Sequence, residues 1–534
     1  MMTFENVFFE LNVCFMDFIP SNEHLTFSQV VFLGFIYLRI LFEASNLISD
    51  GSELLVLVPS LSKIVGSIIL PIVGVVPDGI MILLSGLGEN AQTEVAVGMG
   101  ALAGSTVMLL TVAWFSVILG GRVSLNSSGE PAYKPEPAST GDWQKLADAD
   151  VKSLTKAAVS CDKAIANSAR FMLITAASYI VMELGASAGF GRWTAGVLTL
   201  VCIVGLFIYM RKEIKGELAE VMVAQKRVDA ILSRVISFRG AMEDLLRVKA
   251  FKQGLSESFL GASEVKKQFE RVLKYFFNKF DVNKDGSIDY QEFTQVMADL
   301  NEHIPPQDLF EIFLSMDTDC SGKIDFDEFV VMIEKLTMHA FPEHSMSTSS
   351  RSSSSGDAGD EVVPDDLTCL PAEEQQRRVK QRAGWMMVFG SVLILIFTGP
   401  AVDVISNLGV RLDVSPFYLA FVFAPIASNA SELIAAYNYA CKKTKKSTAV
   451  AFSSLIGAAV MNNTFGLAIF FGLVFARGLE WTFHAEVAAI LLVQLGVGLY
   501  AYFKRSQNLR DGLIILSLYP LSLVLCCVFK TTSN

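Results

Sequence analysis

Two segments near the middle of the chain carry oxygen-bearing side chains at a regular spacing. The first, Asp281 to Glu292, has acidic or amide side chains at positions one, three, five, nine and twelve, and a glycine at position six. Ca2+ takes about six to eight oxygen ligands, and this arrangement is that of an EF-hand loop. The predicted ligands are Asp281, Asn283, Asp285, Ser287 through its backbone carbonyl, and Glu292.

The second segment repeats this pattern 36 residues later. Its predicted ligands are Asp317, Asp319, Ser321, Lys323 through its carbonyl, and Glu328, with Asp325 at position nine. Phenylalanines flank both loops and supply the apolar faces of a helix-loop-helix pair. We therefore expect a two-hand Ca2+-binding unit at 265–340. The alternatives are a degenerate, non-binding hand and a hand that only buffers Ca2+ or serves as a structural clip.

A weak internal repeat places a carboxylate at the same offset in two apolar regions. Pro71-Ile-Val-Gly-Val-Val-Pro-Asp78 recurs as Pro425-Ile-Ala-Ser-Asn-Ala-Ser-Glu432. Downstream, Ala101 to Met108 matches Ser454 to Met461 in pattern. Carboxylates in apolar spans are costly and usually face a cavity or an ion path, so a duplicated pair suggests a transporter. For either residue alone, a polar contact between helices is the simpler interpretation.

The composition is that of a polytopic membrane protein, since 52% of the 534 residues are hydrophobic. Ten stretches are long and apolar enough to span a bilayer. They are 28–57, 62–86, 94–119, 169–185, 194–211, 383–407, 415–438, 448–475, 481–503 and 511–529. The eight cysteines show no spacing typical of a disulfide framework or a zinc site. The net charge of −11 makes nucleic-acid binding unexpected.

These stretches form two clusters of five around a polar centre. The predicted divisions are an N-terminal segment 1–27, a first five-helix repeat 28–211, a helical connector 212–264, the EF-hand pair 265–340, a Ser-rich disordered linker 341–382 and a second five-helix repeat 383–529. Prolines in the repeated segments predict broken helices at Pro71, Pro77 and Pro425.

An odd number of spans before the central region predicts that the two repeats are inverted, because each repeat leaves the chain on the opposite face. Lysines and arginines concentrate in three loops that this topology places on one face, around 134–163, 442–446 and 504–510. The positive-inside rule assigns that face, and with it the EF-hand insert, to the cytosol.

The repeats and the central hands together resemble the cation/calcium exchanger superfamily, and specifically the plant sodium/calcium exchanger-like proteins with EF-hands. The resemblance covers nearly the whole chain. It implies an all-α polytopic membrane protein of about ten transmembrane helices in two inverted five-helix repeats. It also implies a location in the vacuolar or the plasma membrane, with lipid and the transported ions as partners.

Carried over by position, the resemblance places the transported cations on Asp78, Ser105, Ser428, Asn429, Glu432 and Asn462. The chain departs from the family pattern at four positions. Val75 and Leu109 stand where the family commonly has hydroxyl or amide ligands, Asp78 is shorter than the usual glutamate, and Ala458 replaces a serine. Fewer oxygens disfavour a site for several Na+ ions, so H+ is a rival counter-ion.

The function expected from these features is antiport of Ca2+ out of the cytosol in exchange for Na+, regulated by Ca2+ binding to the hands. Hydrolytic chemistry is not expected, because no phosphate-binding Gly-Lys-Ser/Thr loop and no nucleophile–base arrangement is found in the sequence. The alternatives are a Ca2+/H+ antiporter, a Ca2+-gated channel lined by the same carboxylates, and a membrane Ca2+ sensor with an inactive transporter body.

Overall fold

A computed structural model of the protein describes residues 25–56, 70–88, 91–126, 129–133, 153–214, 372–533 and, with short gaps, 270–299 and 309–331. These ranges are mostly helical. The continuous helices are α1 Phe27–Val56, α2 Leu70–Leu87, α3 Ala91–Met108, α4 Trp114–Gly121, α5 Lys163–Ser187, α6 Gly191–Ile214, α7 Tyr290–Asp299, α8 Ala372–Leu412, α9 Pro416–Cys441, α10 Lys445–Met461, α11 Leu467–Arg477, α12 His484–Phe503 and α13 Leu509–Ser533.

Nine helical segments of the described residues are long and apolar enough to cross a membrane. In two of them a π turn joins two helices without a break: Leu109–Ala113 lies between α3 and α4, and Asn462–Gly466 lies between α10 and α11. A shorter apolar helix, Gly74–Leu87, overlaps the predicted span 62–86. The predicted class, an all-helical polytopic membrane protein, is confirmed, and the arrangement as two inverted five-helix repeats stays a prediction.

The prediction of helices broken at prolines is wrong. Pro77 lies inside α2 and Pro425 lies inside α9, and both helices continue through them. Pro71 lies in the first turn of α2, where a missing N–H breaks no helical hydrogen bond. Prolines are tolerated inside membrane helices because neighbouring groups and local adjustments satisfy the carbonyl that they free. The irregular backbone lies instead at the two π turns.

The boundary between the predicted linker and the second repeat also differs. Helix α8 begins at Ala372, so the last part of the predicted disordered linker 341–382 is helical. Residues 373–382 are mainly Glu, Gln, Arg and Lys, which are good helix formers although their polarity resembles that of a linker. The rest of the linker and most of the predicted connector 212–264 lie outside the described residues.

Helices α1 and α8 pack along each other, and their contacts are related by a constant offset. A methyl group at Gly34 would lie 3.2 Å from Val404 Cγ1, and one at Gly51 would lie 2.9 Å from Met387 Cγ. Gly34 and Met387 differ by 353 positions, as do Gly51 and Val404. Exchanging the two helices at this offset therefore converts one contact into the other.

A second pair of contacts follows the same rule. The rings of Tyr37 and Phe397 lie 6.0 Å apart, and a methyl group at Gly390 would lie 2.7 Å from the Ala44 carbonyl oxygen. Adding 353 to Tyr37 and Ala44 gives Gly390 and Phe397. The two π turns are also 353 positions apart, so this offset relates equivalent positions there and in α1 and α8. In α2 and α9, where Asp78 matches Glu432, the offset is 354.

The connections between helices lie in two groups at opposite ends of the bundle. At one end, strands Val123–Ser124 (β1), Ala157–Ser160 (β2) and Ser506–Asn508 (β3) form a small antiparallel sheet in the order β1-β2-β3. Lys443 Nζ donates to the Arg122 carbonyl oxygen at 2.8 Å in the same group. We call this the sheet end, and it joins the three loops that are rich in basic residues.

The opposite end joins the other set of loops. Arg192 Nε donates to the Phe475 carbonyl oxygen at 2.9 Å, and the Glu480 amide donates to Gln92 Oε1 at 3.0 Å. Trp481 Nε1 donates to Glu183 Oε2 at 3.0 Å. These bonds hold the loops that follow α5, α2 and α11 together.

We predict that Gly104→Ala destabilises the bundle, because its methyl group would overlap the backbone of α9 at Phe421. Overpacking of this kind costs about 1–3 kcal/mol. Thermal unfolding of the purified protein in detergent measures the effect as a lower midpoint. Gly384→Ala is the matched control, since no atom of the described residues lies within 4 Å of its added methyl group. Equal midpoints for the two variants would contradict the prediction.

Candidate cation site and EF-hand pair

The two repeat-related carboxylates lie on adjacent helices in the middle of the bundle. Asp78 of α2 is 1% exposed, and neither of its carboxylate oxygens has a hydrogen-bond partner among the described residues. Glu432 of α9 is half-buried and lies within electrostatic range of Asp78. Its Oε1 rests against Gly74, where any side chain would occupy the same space. The absence of a side chain at Gly74, in the first half, therefore leaves room for the Glu432 carboxylate of the second half.

Ser105 of α3 lies at the centre of the polar groups around these carboxylates. Its hydroxyl oxygen accepts from Asn429 Nδ2 at 2.7 Å and from Asn462 Nδ2 at 3.1 Å. Asn462 Nδ2 also donates to Thr106 Oγ1 at 3.0 Å. The Ser105 and Ser428 hydroxyls face the Asp78 carboxylate. The six residues predicted for the transport site thus come together from α2, α3, α9 and the second π turn.

The two hydrogen bonds donated by Asn462 Nδ2 fix the direction of its side-chain carbonyl oxygen, Oδ1. Because the amide nitrogen of Asn462 is bonded to two hydroxyls, its Oδ1 points elsewhere, and that oxygen is buried without a partner among the described residues. Asp78 has two such oxygens. Buried acceptors without donors are costly, and an oxygen set of this kind is what a hard cation binds.

Each π turn contains a threonine whose hydroxyl bonds back to the preceding turn. Thr111 Oγ1 donates to the Val107 carbonyl oxygen at 2.6 Å, and Thr464 Oγ1 donates to the Val460 carbonyl oxygen at 2.7 Å. Both residues of the second pair lie 353 positions after those of the first. Threonine bonding back to the preceding turn competes with the helical ladder, and π turns are frequent at functional sites. The second π turn begins at Asn462.

The two halves contribute different side chains at equivalent positions. Val75 and Leu109, the first-half equivalents of Asn429 and Asn462, are buried apolar residues. Conversely, Ser105 corresponds to Ala458. The side-chain amides of Asn429 and Asn462, from the second half, therefore donate to the Ser105 hydroxyl oxygen of the first half. The site has one polar centre, at Ser105, and no equivalent centre at Ala458.

The sequence reasoning missed several residues that position the site. Gly74 leaves space for the Glu432 carboxylate, and Thr106 accepts a hydrogen bond from Asn462. The Ser45 hydroxyl of α1 donates to the Ser428 carbonyl oxygen at 2.9 Å. The side chains of Asn463 and Gln494 exchange two hydrogen bonds of 2.7 and 2.8 Å. The signal for Gly74 was present, because it stands at the repeat position of Ser428. For Gln494 the sequence has no comparable signal, since α12 contains no part of the repeated motifs.

The charge of this cluster is not balanced by protein groups. No lysine or arginine among the described residues forms an ion pair with Asp78 or Glu432. Two carboxylates in range of each other repel when both are ionised, and a bound cation relieves that repulsion. The arrangement can therefore bind a divalent cation, or monovalent cations and protons in its place.

The two EF-hand loops pair through a short β bridge. Ile288 N donates to the Ile324 carbonyl oxygen at 2.8 Å, and Ile324 N donates to that of Ile288 at 2.9 Å. Both isoleucines are fully buried, and Phe277 and Phe329 pack beneath them with ring centroids 5.5 Å apart. The loops are thus held side by side, as a pair of hands requires.

The loop backbone already has the turn that Ca2+ binding needs. Gly286 and Gly322 have φ of 83° and 79°, a conformation that favours glycine. The Gly286 amide donates to Asp281 Oδ2 at 3.0 Å, and the Gly322 amide donates to Asp317 Oδ2 at 2.7 Å. The carboxylates predicted as first ligands therefore point inward.

In the second hand, oxygens of Asp317, Asp319 and Glu328 all lie within 4.8 Å of one another. In the first hand, Glu292 accepts from the amides of Asn283 and Asp289 through its two oxygens, and Asp281 Oδ1 is buried without a partner among the described residues. All these donors are hard oxygens, so the residues present fit Ca2+.

One ion pair connects the two hands. The Lys323 ammonium of the second loop pairs with the Asp285 carboxylate, a predicted ligand of the first. This pairing lowers the pKa of the Asp285 carboxyl to about 2. Asp289 and Glu292 also lie within electrostatic range of Lys323, so its charge acts on the acidic pocket of the first hand.

The fold and these sites define a polytopic membrane protein with an EF-hand pair and a buried cluster of carboxylate, hydroxyl and amide groups that is a candidate cation site. Comparison with protein families agrees: residues 382–528 match the sodium/calcium exchanger protein family, and residues 270–334 match the EF-hand domain pair. The predicted resemblance to EF-hand-bearing cation exchangers is confirmed, and the proteins that this chain resembles are transporters.

Known proteins match this chain over most of its length. It is 28% identical over 512 residues to the sodium/calcium exchanger NCL2 of Oryza sativa subsp. japonica, a match covering 93% of this chain and 84% of the relative. It is 27% identical over 525 residues to the sodium/calcium exchanger NCL of Arabidopsis thaliana, covering 92% and 84%. A solved structure, the crystal structure of the H+/Ca2+ exchanger CAX, gives a TM-score of 0.41 at 11% identity, covering 99% of this chain and 91% of that one.

We predict that Gly74→Ala weakens binding at the transport site without unfolding the protein. The added methyl group displaces only the end of the Glu432 side chain, which is flexible, but it moves that carboxylate away from Asp78. The half-saturating Ca2+ concentration for transport is expected to rise about tenfold, equivalent to about 1.4 kcal/mol. Flux in reconstituted vesicles measures it, with Gly384→Ala as control. An unchanged value would show that the position of Glu432 does not matter.

We also predict that Lys323→Met raises the Ca2+ affinity of the first hand, because Asp285 then binds Ca2+ without first breaking its ion pair with Lys323. For an exposed pair the expected gain is about two- to fivefold. Calorimetric titration of the full-length protein measures it, and Lys274→Met is the control, since Lys274 lies over the Phe326 ring rather than on a ligand. A lower or equal affinity would contradict the prediction.

Proposed function

We propose that this protein is a secondary antiporter that exports Ca2+ from the cytosol in exchange for Na+. The observation that carries the proposal is the meeting of Asp78 and Glu432, from equivalent positions of the two halves, around hydroxyl and amide groups with unpartnered oxygens. The similarity to sodium/calcium exchangers over most of the chain supports the same ions. Asp78, Glu432, Ser105, Ser428, Asn429 and Asn462 form the transport site in this proposal.

Exchange follows from competition for shared carboxylates. When Ca2+ is bound, its two charges match those of Asp78 and Glu432, and when it leaves, the repulsion between the carboxylates favours entry of another cation. The polar groups of Ser105 and Asn462 are fixed by mutual hydrogen bonds, so the site persists while different ions occupy it. Alternating access requires the site to open to one face at a time, as inverted repeats permit.

The sheet end faces the cytosol in this proposal. It carries the basic residues Lys443, Lys445 and Lys504, which are exposed or half-exposed there. By contrast, the loops at the opposite end carry few basic residues, as the positive-inside rule requires for the far face. The EF-hand insert is then cytosolic and senses the Ca2+ that the transporter removes, in a vacuolar or plasma membrane.

A second candidate is Ca2+/H+ exchange. Val75 and Leu109 place apolar side chains where further oxygen ligands would serve a multi-ion Na+ site. Carboxylates buried without cationic partners can carry protons instead. This candidate shares the Ca2+ site and the direction of transport, and differs only in the driving gradient.

We predict that calcium-45 uptake into reconstituted vesicles is driven by a Na+ gradient and is abolished by Glu432→Gln and by Asp78→Asn. Each substitution removes one of the two charges that balance Ca2+. Asp413→Asn is the matched control, because Asp413 lies in the exposed turn between α8 and α9 and its left-handed backbone also suits asparagine.

The outcomes separate the candidate functions. Uptake driven only by a pH gradient would reassign the counter-ion to H+. Conductive Ca2+ flux independent of any counter-ion would identify a channel. No flux in the wild type, with Ca2+ still bound to the hands, would leave a membrane Ca2+ sensor.

A further inference from the structure

Helix α1 carries an ion pair near the middle of its length. Arg39 and Glu43 lie one turn apart and pair with each other. The helix runs from Phe27 to Val56, so both residues are at least 12 positions from either end. Charged residues this far inside a membrane helix are costly and usually face the interior of the bundle. These two face outward instead, since 67% of the Arg39 side chain and 48% of the Glu43 side chain are exposed.

A hydrogen bond to the candidate cation site fixes the depth of this pair. The Ser45 hydroxyl of α1 donates to the carbonyl oxygen of Ser428, which belongs to that site. Glu43 and Arg39 precede Ser45 by two and six positions, or about 3 and 9 Å along the helix axis. The pair therefore lies near the level of the central carboxylates and not at an end of the bundle, where the lipid headgroups are.

The outer side of α1 has the residue spacing of a helix–helix contact. Steps of four and three positions give one continuous stripe, which we call the outer stripe: Phe32, Ile36, Arg39, Glu43 and Asn46. The first four of these residues are exposed, and Asn46 is half-buried. Parallel membrane helices pack along stripes with this spacing. The other side of α1 is buried against the bundle through Tyr37, Leu41, Ala44 and Ile48.

Helix α8 shows what lipid contact alone requires at these positions. At the 353-residue offset, Arg39 corresponds to Val392 and Glu43 corresponds to Ile396. The remaining equivalents of the outer stripe are Trp385, Phe389 and Gly399. Trp385, Phe389 and Val392 are exposed, as lipid-facing residues of a membrane helix are. The same face of the fold is thus apolar in the second half and charged in the first, so the charges are specific to α1.

We propose that the outer stripe is the interface of a homodimer within the membrane, in which Arg39 of each copy pairs with Glu43 of the partner subunit. Two copies inserted with the same topology place their α1 helices parallel and at the same depth, around a two-fold axis along the membrane normal. Arg39 then reaches the partner subunit's Glu43 one turn along the axis, a distance that it already spans on its own helix.

The arrangement of charge favours a second copy over a different membrane protein. The outer stripe carries one positive and one negative group, so it is complementary to itself, and a copy of the chain always presents both at the right depth. Pairing removes the charges from lipid and gives each of them two partners of opposite sign. The interface uses the same residues on both copies and closes after two of them. The apolar stripe of α8 keeps its contact with lipid.

Counting of subunits in lipid tests the interface, and the result does not depend on the exchange function. The full-length protein, labelled with one fluorophore, is reconstituted in vesicles at graded protein-to-lipid ratios, and photobleaching steps are counted. The double variant Arg39→Val with Glu43→Ile gives α1 the residues that α8 has at the equivalent positions, so it remains suited to insertion. Its dissociation constant in lipid is expected to rise about tenfold. Val392→Ile, on the stripe of α8, is the control and is expected to leave that constant unchanged.

Charge reversal then separates pairing between copies from pairing within one helix. Arg39→Glu leaves two acidic groups on the outer stripe, and Glu43→Arg leaves two basic ones, so neither variant has the pair on its own helix. Each alone is expected to be monomeric, and a mixture of the two, with different labels, is expected to form mixed dimers. Wild-type monomers at every ratio, or a Val/Ile double variant that dimerises as the wild type does, would overturn the proposal. A mixture that stays monomeric, or a single copy bound to a different membrane protein, would overturn it as well.

Discussion

The cost of burying carboxylates in an apolar bundle is the constraint around which this structure is organised. A charged side chain at the centre of a membrane costs about 3 kcal/mol, and Asp78 is almost fully buried with neither oxygen bonded among the described residues. A buried carboxylate of this kind is stable in its charged form only with a cation nearby. The amides around it are bonded to the Ser105 hydroxyl oxygen, and the Ser105 and Ser428 hydroxyls face the carboxylate.

Close packing between helices makes this polar centre possible. A methyl group at Gly100 would lie 2.6 Å from the Phe417 carbonyl oxygen, so α3 and α9 approach with their backbones nearly in contact. Further along the two helices, the Ser105 hydroxyl oxygen accepts from Asn429 Nδ2 at 2.7 Å. Small residues serve this purpose in membrane helices, where packing rather than the hydrophobic effect drives association. Bulk added at the glycines would therefore separate the site residues as well as loosen the bundle.

The sequence predicted the residue types of the site better than the backbone that holds them. Asp78 and Glu432 were predicted because a repeated motif places a carboxylate in an apolar segment, where lipid disfavours it. The EF-hand ligands were predicted because their spacing follows directly from Ca2+ coordination. The π turns were missed and breaks at Pro77 and Pro425 were expected instead, since a threonine bonding to the preceding turn leaves no distinct pattern in sequence. Gln494 was missed because only the fold brings it to Asn463.

The two halves share several contacts between α1 and α8 but differ in one buried hydroxyl group. Ser45 of α1 and Thr398 of α8 are equivalent at the 353-residue offset. The Ser45 hydroxyl donates to the Ser428 carbonyl oxygen at 2.9 Å, whereas the Thr398 hydroxyl is fully buried and has no partner among the described residues. A buried hydroxyl without a partner is costly, so this difference favours any movement of α1 and α8 that supplies an acceptor to Thr398.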